Sequence, residues 1–422
     1  MCNGNIGFFC DSISPKKCYN ENTNIFRSNN MENNINGLEN YPTDAISLTK
    51  KLVSISSTDP GDYEIQIGNY ISNWLKYHNI SFITEEVLDG RFNIMATLPS
   101  ENPSISNYSE LVYICHMDTV VIGSGWSMDA LTPYEIDGKI YGRGACDMKS
   151  GLACAMSALK KYSKQTLNLP FKLICTVDEE DFMRGVEKAI QSGWVSSNSL
   201  VLDTEPTDNQ IQVAHKGRVW VKVDVQGKTA HASRPHMGID AVAGISEFIS
   251  IFRQKILEFP KHEELGNSTV TFGQIQGGYR PYVVPDSATV WIDIRTVPPL
   301  TSEKIENCLQ ETISKVKETF NGIEIKYEFN GNRPFIEKDP NSYLLQKLKA
   351  TCEEILSKPQ EVSYFTGYTD TAVIAGKLNN KNCMSYGPGS LNLAHKPDEY
   401  VPIEDIKRCE KVLQKLIENT CK

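Results

Sequence analysis

Leu111-Val-Tyr-Ile-Cys-His-Met-Asp-Thr119 opens with five apolar residues in succession and then turns polar at His116 and Asp118. A short apolar run without polar alternation predicts a strand buried on both faces, as in the interior of a sheet covered by helices. Phe92-Asn-Ile-Met-Ala-Thr97, Phe171 to Val177 and Ser199 to Leu202 have the same character. Around them the apolar spacing is helical: Ile46, Leu48, Leu52, Val53 and Ile55 behind the capping pair Thr43-Asp44, then Ile67 to Tyr77, Gly151 to Tyr162, and Val186 to Ile190. Strand and helix in alternation predict an α/β fold, a mostly parallel sheet flanked by helices.

The pattern changes to period two in Val219-Trp-Val-Lys-Val-Asp-Val225. A helix from Asp240 to about Phe259, strands Thr269 to Gln276 and Ala288 to Arg295, a helix from Ser302 to about Phe320 and a strand Ile323 to Phe329 follow. These make an α+β module inserted into the first domain, because helices over Pro340 to Ile355 and Pro402 to Leu416 then restore α/β character. The expected division is therefore 41–212 with 333–422 as one domain and 213–332 as the insertion. Residues 1–40, rich in Asn, Ser and Lys and without apolar period, read as a disordered tail.

An excess of 52 acidic over 43 basic side chains, net charge −9, argues against nucleic acid or an anionic membrane as the main partner and favours a small soluble substrate. With neither an apolar run of about 18 residues nor a basic-then-apolar leader, the expected location is the cytoplasm. Twelve cysteines are scattered, and Cys115, Cys146, Cys154 and Cys175 sit in apolar runs, so reduced core thiols are expected. No Cys-x-x-Cys occurs, which argues against thiolate zinc.

Ligands in open α/β sheets gather at the carboxyl ends of strands, where His116, Glu179, Glu180 and Glu205 each follow an apolar run. Imidazole nitrogen and carboxylate oxygen suit zinc, and two ions about 3.5–4 Å apart need a shared carboxylate. Asp147 is the expected bridge, with Glu180 and His395 on one ion and His116 and Glu205 on the other. Asp118, two residues from His116, is expected to accept its other ring N–H through the carboxylate. Glu179 is then free as general base. Taken singly each feature has a plainer reading: His-x-Asp is usually structural, Glu-Glu pairs are usually solvated, and Asp147 could cap the helix that begins near Lys149. Their joint order in a chain of only seven histidines favours metal. Gly142-x-Gly144 lacks the third glycine of a dinucleotide fingerprint and precedes an acid that would repel phosphate, which argues against an oxidoreductase.

His116-Met-Asp-Thr119, Gly142-Arg-Gly-Ala-Cys-Asp-Met-Lys149, Asp178-Glu-Glu180, Glu205-Pro-Thr207, Gly227-Lys-Thr-Ala-His-Ala-Ser-Arg-Pro235 and His395 together resemble the dinuclear zinc family of acetylornithine deacetylase, succinyl-diaminopimelate desuccinylase, aminoacylase and glutamate carboxypeptidase. The resemblance covers nearly everything after residue 45. It implies two Zn2+ ions, with Co2+ or Mn2+ as alternatives, the same five ligands and base, and an inserted lid and dimerisation domain in a homodimer. It also implies that His231, otherwise a polar loop residue, reaches a partner's active site and stabilises an oxyanion, and that Arg295 holds a substrate carboxylate, with a salt bridge inside the lid as its alternative role. His78, His215, His236 and His262 read as structural. Tyr282 stands where the family often has Asn before Val-Val-Pro, and Phe182 where glycine commonly follows Asp-Glu-Glu. The expected reaction is hydrolysis of the amide bond of an N-acyl amino acid, with dipeptidase or carboxypeptidase action as the alternative. A non-catalytic metal-stabilised binding protein is the rival of another class, and the intact Glu179 and ligand positions argue against it.

Overall fold

Alternate residues of the strand Leu111–His116 enter two different cores: Leu111, Tyr113 and Cys115 face one, Val112 and Ile114 the other. That two-sided burial puts the strand in the middle of an eight-stranded sheet. In a computed structural model that describes residues 41–101, 107–365 and 367–422, the strand order is Val362–Phe365, Ile211–His215, Cys383–Ser385, Leu200–Asp203, Leu111–His116, Phe171–Thr176, Arg91–Leu98 and Phe82–Leu88. The tail expected over residues 1–40 lies outside the described residues.

The four strands from Cys383–Ser385 to Phe171–Thr176 are mutually parallel, whereas Arg91–Leu98 and Phe82–Leu88 pair antiparallel on one flank and Ile211–His215 pairs antiparallel with Cys383–Ser385 on the other. The sheet is thus parallel at its centre and mixed at its margins. On one face pack the helices Ala45–Val53, Lys149–Tyr162 and Ile403–Cys421; on the other, Arg184–Gln191 and Asp370–Leu378. Asp44 caps the first of these by accepting the Ser47 N–H at 2.9 Å. Lys149–Tyr162 is buried almost all round, because the neighbouring helices cover what the sheet does not. Each fully buried aliphatic side chain here, Leu152 or Leu159 for example, contributes about 1.5–3 kcal/mol by leaving water. All nine cysteines among the described residues are buried and free. Among those residues no helix is long and apolar enough to cross a membrane.

The insertion forms a four-stranded antiparallel sheet in the order Thr269–Gly277, Ser287–Thr296, Gly217–Gln226, Glu324–Arg333. Val219, Val221, Val223 and Val225 point from its central strand into a core with Ile245, Phe248 and Phe252 of Ala241–Leu257 and Ile305 and Leu309 of Ser302–Thr319. Ile211–His215, which straddles the expected boundary at 213, belongs to the large sheet, so the chain leaves that sheet at Lys216. It returns beside its exit: His215 and Ile336 exchange two backbone hydrogen bonds of 3.0 and 2.9 Å.

Candidate metal centre

His116 ends its strand and is 1% exposed. After the neighbouring strand Phe171–Thr176 the chain turns at Asp178, whose positive φ of 67° is uncommon for a side-chain-bearing residue. That turn is pinned: Arg184 gives Asp178 two side-chain hydrogen bonds, of 2.6 and 2.5 Å, and Glu64 Oε1 accepts the Asp178 N–H at 2.9 Å. Glu179 and Glu180 are thereby aimed beside His116. Glu205 follows the strand on the other side of Leu111–His116, and Thr204 before it is gripped so closely that a Cβ on Gly151 or on Gly387 would lie 2.2 Å from its carbonyl oxygen. Asp147 comes from the loop preceding Lys149–Tyr162; Met148, not Asp147, occupies the cap position, so the helix-capping reading fails. His395, with φ 63°, arrives from the C-terminal loops.

The convergence is close. His116 Nε2 lies 3.3 Å from Asp147 Oδ1 and 3.7 Å from Glu205 Oε1. His395 Nε2 lies 3.4 Å from Asp147 Oδ2 and 3.0 Å from Glu180 Oε2. The two oxygens of Asp147 therefore face two different imidazoles. His116, Glu179 and Glu205, and equally His116, Asp147 and Glu180, each offer ligand atoms within 4.8 Å of one another. Asp59, Glu64 and Asp118 do so as well, but Arg91 already neutralises that group through hydrogen bonds to Glu64 and Asp59.

Asp118 requires a correction. The ring Nδ1 of His116 meets the backbone carbonyl of Asp118 at 2.9 Å, while its carboxylate stays 3.7 Å away and instead accepts the Glu180 N–H at 2.9 Å. Past the strand end the backbone curls under the ring, so the carbonyl arrives first.

Five carboxyl groups and two imidazoles share this space, and the imbalance shows in their protonation. Burial, reinforced by the other acids, pushes Glu179 and Glu205 well above the carboxylate range and Asp118 up to about 7. Hydrogen bonds to Asp147 and Glu180 raise His395 to about 10. Burial disfavours charge on both His116 and Asp147, yet their hydrogen bond and the surrounding charges hold His116 well above, and Asp147 below, the ordinary value. The donor set, buried oxygens and imidazole nitrogens with excess negative charge, fits divalent cations.

Other expected residues stand apart. His231 is exposed on the short strand Ala230–His231 of the inserted module, its Nδ1 2.9 Å from Ser233 Oγ. Tyr282 is 60% exposed in the adjoining loop. Arg295 already binds Asp293, Nε to Oδ1 2.8 Å. Its register neighbour Arg218 is different: the guanidinium lies over Trp220 at 4.4 Å, has no ion-pair or hydrogen-bond partner among the described residues, and lies in electrostatic reach of Glu179. Sequence reading missed Arg218, and the signal was faint, one cation opening a period-two strand. It also missed Asp370, whose buried carboxyl accepts from Thr176 Oγ1 at 2.6 Å and adds to the field at Glu179.

Residues 112–419 match Peptidase family M20/M25/M40, and the chain belongs to that family. It is accordingly a hydrolase. Acetylornithine deacetylase of Proteus mirabilis is 29% identical over 390 residues, covering 89% of this chain and 96% of that protein. A probable succinyl-diaminopimelate desuccinylase of Staphylococcus epidermidis is 27% identical over 388 residues, covering 85% and 93%. Among solved structures, aminopeptidase PepT from Bacillus cereus superposes with TM-score 0.71 at 22% identity, covering 89% of this chain and 97% of that one. The YXEP protein of Bacillus subtilis, described as a dinuclear metal-binding peptidase of family M20, gives 0.66 at 14%, covering 88% and 96%.

Proposed function

We propose that the protein hydrolyses the amide bond of an N-acyl amino acid, with Asp147 bridging two divalent cations, Zn2+ first and Co2+ or Mn2+ as alternatives. The observation that carries this reading is the placement of the Asp147 oxygens, 3.3 and 3.4 Å from the imidazoles of His116 and His395. His116 and Glu205 would complete one coordination set and His395 and Glu180 the other. Ions so held would supply Lewis acidity toward a water molecule and toward the scissile carbonyl. Glu179, buried and left outside the ligand set, takes the proton from the attacking water and returns it to the leaving amine. Asp118 keeps the His116 ring oriented through its carbonyl and ties the Glu180 backbone through its carboxylate.

Arg218 is the better candidate to anchor a substrate carboxylate than Arg295, because its charge is uncompensated by any hydrogen-bonded acid. The names of the relatives favour an acetyl or succinyl amide. We assign the inserted module to a lid and to a homodimer formed along the edge strand Thr269–Gly277, with exposed Ile275 on that strand and Tyr279 just beyond it. His231 of a second copy would then reach this site as oxyanion donor. The reading is tested by amine release from N-acetyl, N-succinyl and dipeptide substrates with and without chelator, alongside light scattering for the dimer. Release from acyl amino acids that chelator abolishes and Zn2+ restores is expected; chelator-insensitive release, or none from any acyl amino acid, would overturn it.

A further inference from the structure

Asp147 lies on a loop, Gly142 to Met148, that no sheet holds in place. The backbone N–H groups of Cys146 and Asp147 are buried there and need acceptors. Both find the same one: Glu399 Oε1, at 2.8 and 3.1 Å. The other oxygen of Glu399 accepts from Arg143 Nη1 at 2.5 Å. Arg143 reaches further, giving hydrogen bonds to the carbonyls of Ile122 at 3.2 Å and Lys396 at 3.4 Å, and it packs over the Trp126 ring at 5.2 Å. Glu399 also belongs to the segment that carries His395, and its carbonyl accepts the Gly142 N–H at 3.0 Å. Arg143 and Glu399 are 2% and 1% exposed.

We propose that Glu399, held by Arg143, is the positioning residue that sets Asp147 and His395 at the spacing two cations require. This rests on the two-cation reading above. Neither residue touches the ligand carboxylate or imidazole; they act on the backbones that carry them. A carboxylate is required at 399 because both of its oxygens face donors. Glutamine there would turn an N–H2 either toward the two peptide N–H groups or toward the guanidinium, and one set of bonds would break. The pair also joins two distant segments: Asp147 and His395 lie far apart in sequence, and Glu399 accepts the N–H groups of Asp147 and its neighbour Cys146 while sitting four residues beyond His395.

Titration calorimetry of Zn2+ or Mn2+ into the metal-free full-length protein tests this. Glu399→Gln is expected to weaken cation binding about 10–100-fold, the usual cost of losing a group that orients ligands. Arg143→Lys keeps a cation beside Glu399 but loses the planar fork, and should weaken binding less. Glu110→Gln serves as control: it disrupts another shielded ion pair, to Lys172 at 3.2 Å, beside the opposite end of the His116 strand. It should lower thermal stability and leave cation affinity unchanged. Circular dichroism reports whether each variant is folded, and if Glu399→Gln is not, Arg143→Lys decides. Wild-type affinity in the folded variants would overturn the role of Glu399, whereas failure of the wild type to bind any cation would overturn the metal centre itself.

Discussion

Asp118 Oδ2 accepts the backbone N–H of Glu180 at 2.9 Å, tying the strand end that carries His116 to the turn that carries Glu179 and Glu180. Two segments 62 residues apart are thus fixed to each other by one buried carboxylate. Asp118→Ala should therefore loosen both halves of the site, lowering kcat about 10–100-fold. Asp118→Asn, which retains a carbonyl acceptor, should lose less. Steady-state kinetics of the two variants check this, and equal losses would mean that the negative charge matters and the hydrogen bond does not.

Glu179 is buried, and the proposed assignment leaves it outside the two coordination sets. Glu179→Gln preserves its shape and removes proton transfer. Cation content measured by atomic absorption should stay at the wild-type value while kcat falls about 10²–10⁴-fold. Loss of cation together with activity would instead make Glu179 a ligand.

His215 sits fully buried where the chain crosses between the two sheets, and neither ring nitrogen has a partner among the described residues. Burial lowers its pKa from 6.5 to about 3. In the unfolded chain the ring protonates below its ordinary pKa, and in the folded chain it stays neutral until far lower pH. The unfolded state therefore binds more protons in the window between those values, and stability is lost as pH falls below about 6.5. At pH 5 the loss from this group amounts to about 2 kcal/mol, at roughly 1.4 kcal/mol per pH unit. Urea denaturation of wild type and His215→Leu at pH 7 and pH 5 should show a smaller acid loss in the variant. Equal losses would mean that the ring is solvated or paired.

Gly151 lies in the first turn of Lys149–Tyr162, where Ala would ordinarily favour the helix by about 1 kcal/mol. Here a Cβ would lie 2.2 Å from Thr204 O and 2.4 Å from Thr204 Oγ1. Overpacking of that kind costs about 1–3 kcal/mol, so Gly151→Ala should lower the melting temperature, and by shifting Thr204 it should weaken cation binding at Glu205. A variant with unchanged melting temperature and affinity would show that Thr204 yields freely.

Long periodic segments were legible in the sequence because burial on one face imposes a spacing. The helices Ala241–Leu257 and Ser302–Thr319 and the strand Gly217–Gln226 appear within a few residues of where that spacing predicts them. Phe82–Leu88 is not legible in this way because only one of its faces is covered and charged residues interrupt it, as suits an edge strand. Cys383–Ser385 and Ile211–His215 are too short to carry a period. Glu399 follows His395 in Lys-Pro-Asp-Glu, but nothing local distinguishes an acid that accepts from Arg143 from one facing solvent.

The sequence by itself determined the kinds of side chain and their order: apolar runs that end in His116, the Asp178 turn or Glu205, and a late histidine, which together select an α/β sheet and a donor set for cations. Tertiary structure decided how those groups are brought within contact. Glu205 approaches His116 because its strand is the direct neighbour of Leu111–His116, and His395 approaches Glu180 because the C-terminal loops close over the same carboxyl end of the sheet. Likewise Arg218 rather than Arg295 is left without a hydrogen-bonded acid, since cross-strand register and the position of Asp293 settle which guanidinium is paired. The physical reason is common to all three: residue type fixes what a group can bind, but a contact energy of a few kcal/mol exists only at a few ångströms, and only the folded chain sets that distance.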